Sequence, residues 1–221
     1  MSVWDILTNY YPAFLVGLFV TLKLCVIIWG SGLVLGSALA LAGVKFPKSV
    51  GLPSRGFSFF LGGVPLIVFL FWLHYPVQAM FDVVIDPFYT AAFTLSIVNI
   101  FSVADIVRGA LNDFPKQYLI AAKVTGLTRE QSILRIQFPL ILREVLPPLL
   151  LLQVAMLHTS LFASLISVEE IFRVAQRINA QIYRPVEIYT ALGVFFLAVC
   201  LPINSFALWL KSRFIRNLSE Q

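Results

Sequence analysis

Five long apolar runs, separated by shorter polar segments, constrain the fold of this chain more than any other feature of its sequence. The runs cover residues 12–44, 57–73, 89–107, 145–168 and 186–210. A helix needs about 20 apolar residues to cross the hydrocarbon core of a bilayer. The apolar share of the chain, 59%, is also above the roughly half that is usual in soluble domains. The sequence therefore predicts an all-α, polytopic membrane protein with about five spanning helices in a single domain over residues 1–221.

The positions of the basic residues set the expected orientation of these helices, because cytoplasmic loops are enriched in Lys and Arg. The loop between the first and second runs carries three bases: Lys45, Lys48 and Arg55. Residues 74–88 carry two aspartates and neither Lys nor Arg, and bases return in residues 108–143. This alternation places the N-terminus outside and the C-terminus in the cytoplasm. Lys23, within the first run, is expected to extend toward an interface instead of lining a transport path.

Several classes of function lack support in the sequence. The chain has no G-x-x-x-x-G-K-[ST] pattern, so any ATP and Mg²⁺ that its function uses are expected on a partner. Cys25 and Cys200 lie inside apolar runs, and His74 and His158 are far apart. Because neither pair has the spacing of metal ligands or of a catalytic group, we expect no cofactor, no metal site and no catalysis in this chain. The bases do not form one stripe, which disfavours nucleic-acid binding.

One polar segment, residues 115–139, has the pattern of a short helical hairpin. Pro115 suits the first turn of a helix, and Gly126 suits its left-handed end. Thr128 and Gln131 form the capping box of a second helix. Both predicted helices alternate apolar and charged residues, and both are too short to span a bilayer. Such a hairpin is suited to docking its first helix in a groove of a partner protein.

This hairpin resembles the EAA loop of the membrane subunits of ABC importers. The resemblance rests on Ala121, Ala122 and Gly126, followed at the family's spacing by Ile136 and Pro139. In that family the first helix of the loop docks on the ATPase subunit. The resemblance thus implies nine ATPase-coupling residues: Tyr118, Ile120, Ala121, Ala122, Lys123, Gly126, Leu127, Thr128 and Pro139. Ile120 departs from the family, which usually has glutamate there, and an ordinary connecting loop is the alternative interpretation.

The same resemblance implies an assembly in the bacterial inner membrane. This chain would pair with a second permease subunit, homologous or identical to it. ATP-binding cassette subunits would bind ATP and Mg²⁺ on the cytoplasmic side, and an extracytoplasmic solute-binding protein would deliver a small polar solute.

Further segments are similar to the permeases for polar amino acids and opines. They are residues 59–71, 104–111, 158–171 and 178–192. The departures from that subfamily are Gly62 for arginine, Val64 for threonine, Ser102 for tyrosine, Asp105 for glutamate and Leu157 for lysine. The missing arginine and lysine are two potential partners for a solute carboxylate. Either the solute differs from a typical amino acid, or the chain is the less specialised half of a heterodimer, which we favour.

Polar side chains inside the apolar runs are the candidates for the solute pathway, because polar groups at bilayer depth are paired or face water. Six residues qualify: Ser96, Asn99, Ser102, Asp105, Thr159 and Ser160. The alternative for Ser96, Thr159 and Ser160 is a hydrogen bond to a carbonyl of their own helix. Asp105 has the alternative of an ion pair with Arg108. Close helix packing is expected at Gly32 and Gly36, with either an intramolecular or an intermolecular partner.

Together these features predict the permease subunit of an ATP-driven importer for a polar amino acid or a related small solute. Two alternatives belong to other classes, namely an ATP-independent channel or ion-gradient transporter and a membrane scaffold for a soluble partner. A permease for another solute, such as methionine, is the third.

Overall fold

The computed structural model describes the backbone of residues 3–219 and the side chains of residues 3–214. Residues 1–2 and 220–221 of the predicted domain lie outside this part. The described chain is helical and contains no strand, which confirms the predicted fold class. Its helices are α1 (Val3–Lys45), α2 (Pro47–Gly63), α3 (Leu66–Met80), α4 (Pro87–Asp113), α5 (Lys116–Val124), α6 (Arg129–Ile166), α7 (Ile171–Ile182) and α8 (Pro185–Ser219).

Four of the described helices are long and apolar enough to cross a bilayer: α1, α4, α6 and α8. The α2 and α3 helices meet at an angle of 99° and together provide the material for a fifth span. The sequence had predicted one uninterrupted run at residues 57–73. The break falls at Val64 and Pro65, both with extended backbone (ψ of 124° and 131°), because proline disfavours a helical conformation of the residue before it.

Two other helices begin earlier than the predicted runs. The α1 helix starts at Val3 and includes Pro12, whereas the first run was placed from residue 12. The α6 helix starts at Arg129 and continues through a π-helical turn at Ile133–Gln137 into the fourth predicted run. The second helix of the predicted hairpin is therefore not a separate short helix. It is the first part of a helix of 38 residues. Of the two helices predicted for the hairpin, only the first, α5, is short.

The α4 helix lies at the centre of the fold. In the most apolar stretch of 18 residues of α4, 56% of the residues are buried, whereas the corresponding stretches of α1 and α8 have 28% and 17% buried. Leu95 of α4 is fully buried with Leu24 of α1 and Leu70 of α3. The long outer helices thus leave most of their apolar surface available to lipid or to another subunit, while α4 is held by its own chain.

Contact between α1 and α4 depends on the two glycines that the sequence singled out. A Cβ at Gly36 would lie 2.6 Å from the carbonyl oxygen of Ile100, and a Cβ at Gly32 would lie 2.6 Å from Cγ of Asn99. A larger residue at Gly36 would force the two backbones apart, and one at Gly32 would displace the Asn99 side chain. The partner of the small-residue pair is therefore the same chain. A π-helical turn at Gly32–Gly36 lies at this contact.

Candidate coupling surface and polar residues of the spans

The α5 helix ends with the geometry that its sequence predicts. Gly126 has a φ of +74°, a conformation that glycine adopts without a steric penalty. The Leu127 N–H donates to the Ala122 carbonyl at 3.0 Å, and the Gly126 N–H donates to the Lys123 carbonyl at 3.1 Å. These bonds satisfy two carbonyls at the helix end and turn the chain sharply toward α6.

The start of α6 is fixed by the predicted capping box. The Gln131 N–H donates to Thr128 Oγ1 at 3.3 Å, and the Thr128 N–H donates to Gln131 Oε1 at 3.0 Å. Pro115 lies one residue before α5, at its N-cap, instead of inside the first turn. Capping at both sides of Gly126 sets the angle between α5 and the long α6 helix.

The exposed face of α5 is apolar and basic. Ile120 and Val124 are 62% and 83% exposed, and α5 contains Lys116 and Lys123 and no acidic residue. The α5 helix packs only weakly on the other described helices. Exposed apolar side chains outside the spanning helices are a candidate contact surface for a partner protein.

The predicted coupling residues do not share one face of the hairpin. Ala122 is buried at 2% exposure, so its side chain faces the chain itself and not a partner. Tyr118, Leu127 and Pro139 are half-buried. The remaining coupling residues are exposed: Ile120, Ala121, Lys123, Gly126 and Thr128. The centre of the candidate docking surface is therefore Ile120, Ala121 and Val124, of which Val124 was not singled out from the sequence.

Among the predicted pathway residues, Asn99 is fully buried, as is Ser160. Its Nδ2 donates to the Ile28 carbonyl at 2.8 Å and to Gln153 Oε1 at 3.1 Å. Asn99 is fully buried and Gln153 nearly so. These contacts join α1, α4 and α6, and in this conformation the amide meets protein groups on all sides. Gln153 was missed by the sequence analysis, although a glutamine inside an apolar run was a signal for it.

Asp105 forms the ion pair that was the alternative to a pathway role. Arg108 NH1 lies 2.9 Å from Asp105 Oδ1, and the arginine side chain is 4% exposed. Arg108 NH2 donates to Ser54 Oγ at 2.5 Å, and Ser58 Oγ donates to the other carboxylate oxygen of Asp105. The cluster connects α4 to α2. The aspartate side chain is 45% exposed, so it also reaches the molecular surface.

The other four pathway candidates divide into two groups. Thr159 Oγ1 donates to the Ala155 carbonyl at 2.9 Å, and Ser160 Oγ donates to the Leu157 carbonyl at 2.7 Å. Both hydroxyls are thus satisfied within their own helix, as the alternative interpretation held. Ser96 Oγ is buried without a hydrogen-bond partner in the described structure, and Ser102 is half-buried.

A polar cluster that the sequence analysis missed fastens the end of α3 to the start of α4. Gln78 Nε2 donates to Thr90 Oγ1 at 3.0 Å, and the Ile85 N–H donates to Gln78 Oε1 at 2.8 Å. His74 Nδ1 lies 3.3 Å from Gln78 Nε2. The histidine therefore belongs to a structural cluster that includes Gln78, four residues along the chain, and Thr90 on the next spanning helix.

Glu170 is a further buried polar residue that is not among the predicted site residues. It is fully buried and accepts hydrogen bonds from the N–H groups of Phe172 and Arg173 at 2.9 and 2.8 Å, so it caps α7. Burial raises the pKa of this carboxyl to about 7, although the two backbone N–H groups act in the opposite direction. Thr21 of α1 accepts the next free N–H, that of Ile171, at 3.1 Å. The start of α7 is thereby fixed against α1.

No group of three His, Cys, Asp or Glu side chains in the described part of the chain has the geometry of a metal site. Further ion pairs of the described part join Arg177 to Glu169 at 3.0 Å and Arg184 to Glu187 at 3.4 Å, and all four side chains are at least partly exposed. The described side chains thus provide a surface for docking and polar contacts between helices.

Comparison with known proteins identifies the class to which this architecture belongs. The chain is 31% identical over 203 residues to the glutamine transport system permease protein GlnP of Escherichia coli, covering 91% of this chain and 92% of that protein. It is 29% identical over 217 residues to the octopine transport system permease protein OccM of Rhizobium radiobacter, covering 92% of this chain and 89% of that protein.

A solved structure has the same fold. The crystal structure of an amino acid ABC transporter with histidines superposes with a TM-score of 0.83 at 24% identity, over 96% of this chain and 99% of that one. Residues 32–216 match the family described as the binding-protein-dependent transport system inner membrane component. The chain belongs to this family, and it is a permease subunit of a binding-protein-dependent importer.

Proposed function

We propose that this permease imports a polar amino acid or a related small solute, driven by ATP that separate ATPase subunits bind and hydrolyse. The solute class is supported by the relatives, which are named for glutamine and octopine transport. The observation that carries the coupling role is the exposed apolar face of α5 at Ile120 and Val124. The chain itself has no catalytic role, and ATP and Mg²⁺ belong to the partner subunits.

The fold suggests how an ATPase moves the spans. An amphipathic helix transmits force well when it is held in a groove, and α5 lies between the ends of two spanning helices, α4 and α6. The α6 helix is about 57 Å long at about 1.5 Å per residue, so a tilt imposed at its first turn displaces its far end. Closure of the ATPase pair would convert the spans between inward-facing and outward-facing states.

The pathway is proposed to run along the interface with a second permease subunit. Ser96 and Ser102 are the favoured contacts in this chain. Thr159 and Ser160 are satisfied within their own helix, Asn99 is enclosed, and Asp105 is paired with Arg108. This chain has Gly62 and Leu157 where the subfamily carries cations. The partner subunit would therefore hold the solute carboxylate, which favours a heterodimer.

The orientation follows from the charges, with the N-terminus outside and α5 in the cytoplasm. A solute-binding protein would then dock on the side of α7 and of the loop before α4. This arrangement places solute delivery and ATP hydrolysis on opposite sides of the inner membrane.

The test is uptake of labelled glutamine, histidine and arginine into proteoliposomes that contain this chain, its partner permease, the ATPase and the binding protein. Uptake that requires ATP, and that is lost in Ile120→Asp but kept in Ile120→Val, supports the proposal. The aspartate places a charge on the docking face, whereas valine preserves its chemistry. Equal uptake without the ATPase subunits would indicate a channel or gradient-driven transporter. Labelled methionine is assayed in parallel, and uptake of methionine but of none of the other three amino acids would contradict the proposed solute class.

A further inference from the structure

A buried arginine connects two helices, α4 and α2, close to the coupling hairpin. The Arg108 side chain is 4% exposed, and its two terminal nitrogens bind Asp105 on α4 and Ser54 on α2. Asp105 in turn accepts from Ser58, one turn further along α2. Two residues of α4 therefore hold two residues of α2 through polar contacts whose geometry is fixed by the planar guanidinium.

The same arginine lies against the corner between α1 and α2. A Cβ at Gly43 would lie 3.4 Å from Arg108 Nε, and a Cβ at Gly51 would lie 2.6 Å from the Gly43 carbonyl oxygen. The backbones of α1 and α2 thus meet directly at this corner, next to the guanidinium. Arg108 precedes the last residue of α4, Asp113, by about 8 Å at about 1.5 Å per residue, and α5 begins shortly after.

Charged side chains are costly to bury in a membrane protein, which makes the buried Arg108 a candidate for a function beyond packing. An apolar contact would hold α2 and α4 together equally well but would allow them to slide. The charge-assisted bonds of Arg108 permit only one register between the helices. Since α2 is the first half of the bent pair with α3, its position sets the position of the whole pair.

We propose that Arg108, Asp105, Ser54 and Ser58 form a mechanical joint, which forces α2 to move together with α4 when the hairpin is displaced. The inference rests on the proposed coupling function. These four are positioning residues, and the role of Asp105 in the joint replaces direct solute contact as its main role.

The test uses the complete transporter in proteoliposomes and compares Ser54→Ala/Ser58→Ala with Ser54→Thr/Ser58→Thr. The alanine pair removes the hydroxyls on the α2 side and leaves the ion pair within α4. The variant loses two hydrogen bonds to charged groups. Solute uptake per ATP hydrolysed should fall at least about tenfold, the ratio that corresponds to only one such bond, while ATPase activity persists. The threonine pair keeps the hydroxyls and should restore coupling.

A distance measurement separates a joint from a merely structural cluster. Spin labels at Arg55 on α2 and Asn112 on α4, both exposed, should show one distance with and without nucleotide in the otherwise unchanged chain. In the alanine pair this distance should become dependent on nucleotide.

Three results would overturn the joint. They are unchanged uptake per ATP, an altered solute KM with normal coupling, and a label distance in the alanine pair that nucleotide does not affect. Absence of ATP-dependent uptake in the unmodified transporter would instead refute the proposed function, and the two failures are therefore distinct.

Discussion

Replacement of Gly32 by alanine tests whether the α1 and α4 contact is built around a glycine and an asparagine. A Cβ at this position would lie 2.6 Å from Asn99 Cγ, which no real side-chain contact allows. The asparagine must then leave the Ile28 carbonyl and Gln153, its two hydrogen-bond acceptors at 2.8 and 3.1 Å. Gly30 of the same helix has no atom within 4 Å of its Cβ position and provides the matched control.

The size of the effect follows from two contributions. Overpacking of a filled interior costs about 1–3 kcal/mol, and each interhelical hydrogen bond in a membrane protein contributes about 0.6–2 kcal/mol. With one overpacked contact and two lost hydrogen bonds, Gly32→Ala should destabilise the chain by about 2–7 kcal/mol. At about 2–4 °C per kcal/mol for a chain of this size, the Tm should fall by roughly 4–28 °C. Gly30→Ala should leave the Tm unchanged or raise it slightly, because alanine favours the helix.

The assay is thermal unfolding of the purified protein in detergent, followed with a thiol-reactive fluorescent dye. Cys25 and Cys200 are both free and buried, so they react when the chain unfolds. Adding Asn99→Ala to Gly32→Ala should recover at least about 1 kcal/mol relative to the sum of the single variants, since the clash disappears. Equal Tm values for the two glycine variants, or strict additivity of the pair, would refute the packing described here.

Three further predictions concern the hairpin and the capped α7 helix. Gly126→Pro should abolish uptake at an unchanged amount of protein in the membrane, because proline cannot adopt a φ of +74°. Gly126→Asn should retain uptake. Loss of uptake in both variants, or in neither, would contradict this prediction. Ala122→Asp should lower both Tm and uptake, because it buries an unpaired carboxylate. Ala121→Asp should reduce uptake alone. Equal Tm values for the two variants would contradict the buried position of Ala122. Burial raises the pKa of the Glu170 carboxyl from 4.5 to about 7. Near pH 6 the folded chain therefore holds a proton on Glu170 that the unfolded chain has released. This protonation stabilises the folded chain at low pH, and the stabilisation is lost as the pH rises through 7. Between pH 6 and 8 it should decrease by on the order of 1 kcal/mol, a decrease that Glu170→Gln should abolish and that thermal unfolding at several pH values would detect.

Features that depend on neighbouring residues in the sequence could be predicted from it. The capping box at Thr128 and the left-handed Gly126 involve residues within one helical turn of each other, and the spans follow from local apolar content. The end of α5 and the helical fold class were correct for this reason.

Features that depend on contacts between distant segments could not be predicted. Asn99 and Gln153 are 54 residues apart, so their pairing is visible only after α4 and α6 have been packed. The 99° bend at Pro65 was missed because proline is also tolerated inside spanning helices, as Pro12 is in α1. The continuity of α6 was missed because charged residues up to Glu144 separate the predicted second helix of the hairpin from the fourth apolar run, which was placed from residue 145.

The sequence also did not determine which side chains of the hairpin face outward. Ala121 and Ala122 are adjacent and identical, yet only Ala122 is buried. The phase of a helix of nine residues is set by what it packs against, and a sequence pattern of alternating apolar residues does not determine it.

The central claim, that the exposed face of α5 docks on an ATPase subunit, is tested most directly by photo-crosslinking in the intact transporter. A photoreactive amino acid at Ile120 should give a covalent product with the ATPase subunit. The same group at Val84, fully exposed in the loop before α4, should give none. A product at Val84, or the absence of an ATPase product at Ile120 in an active transporter, would contradict the account.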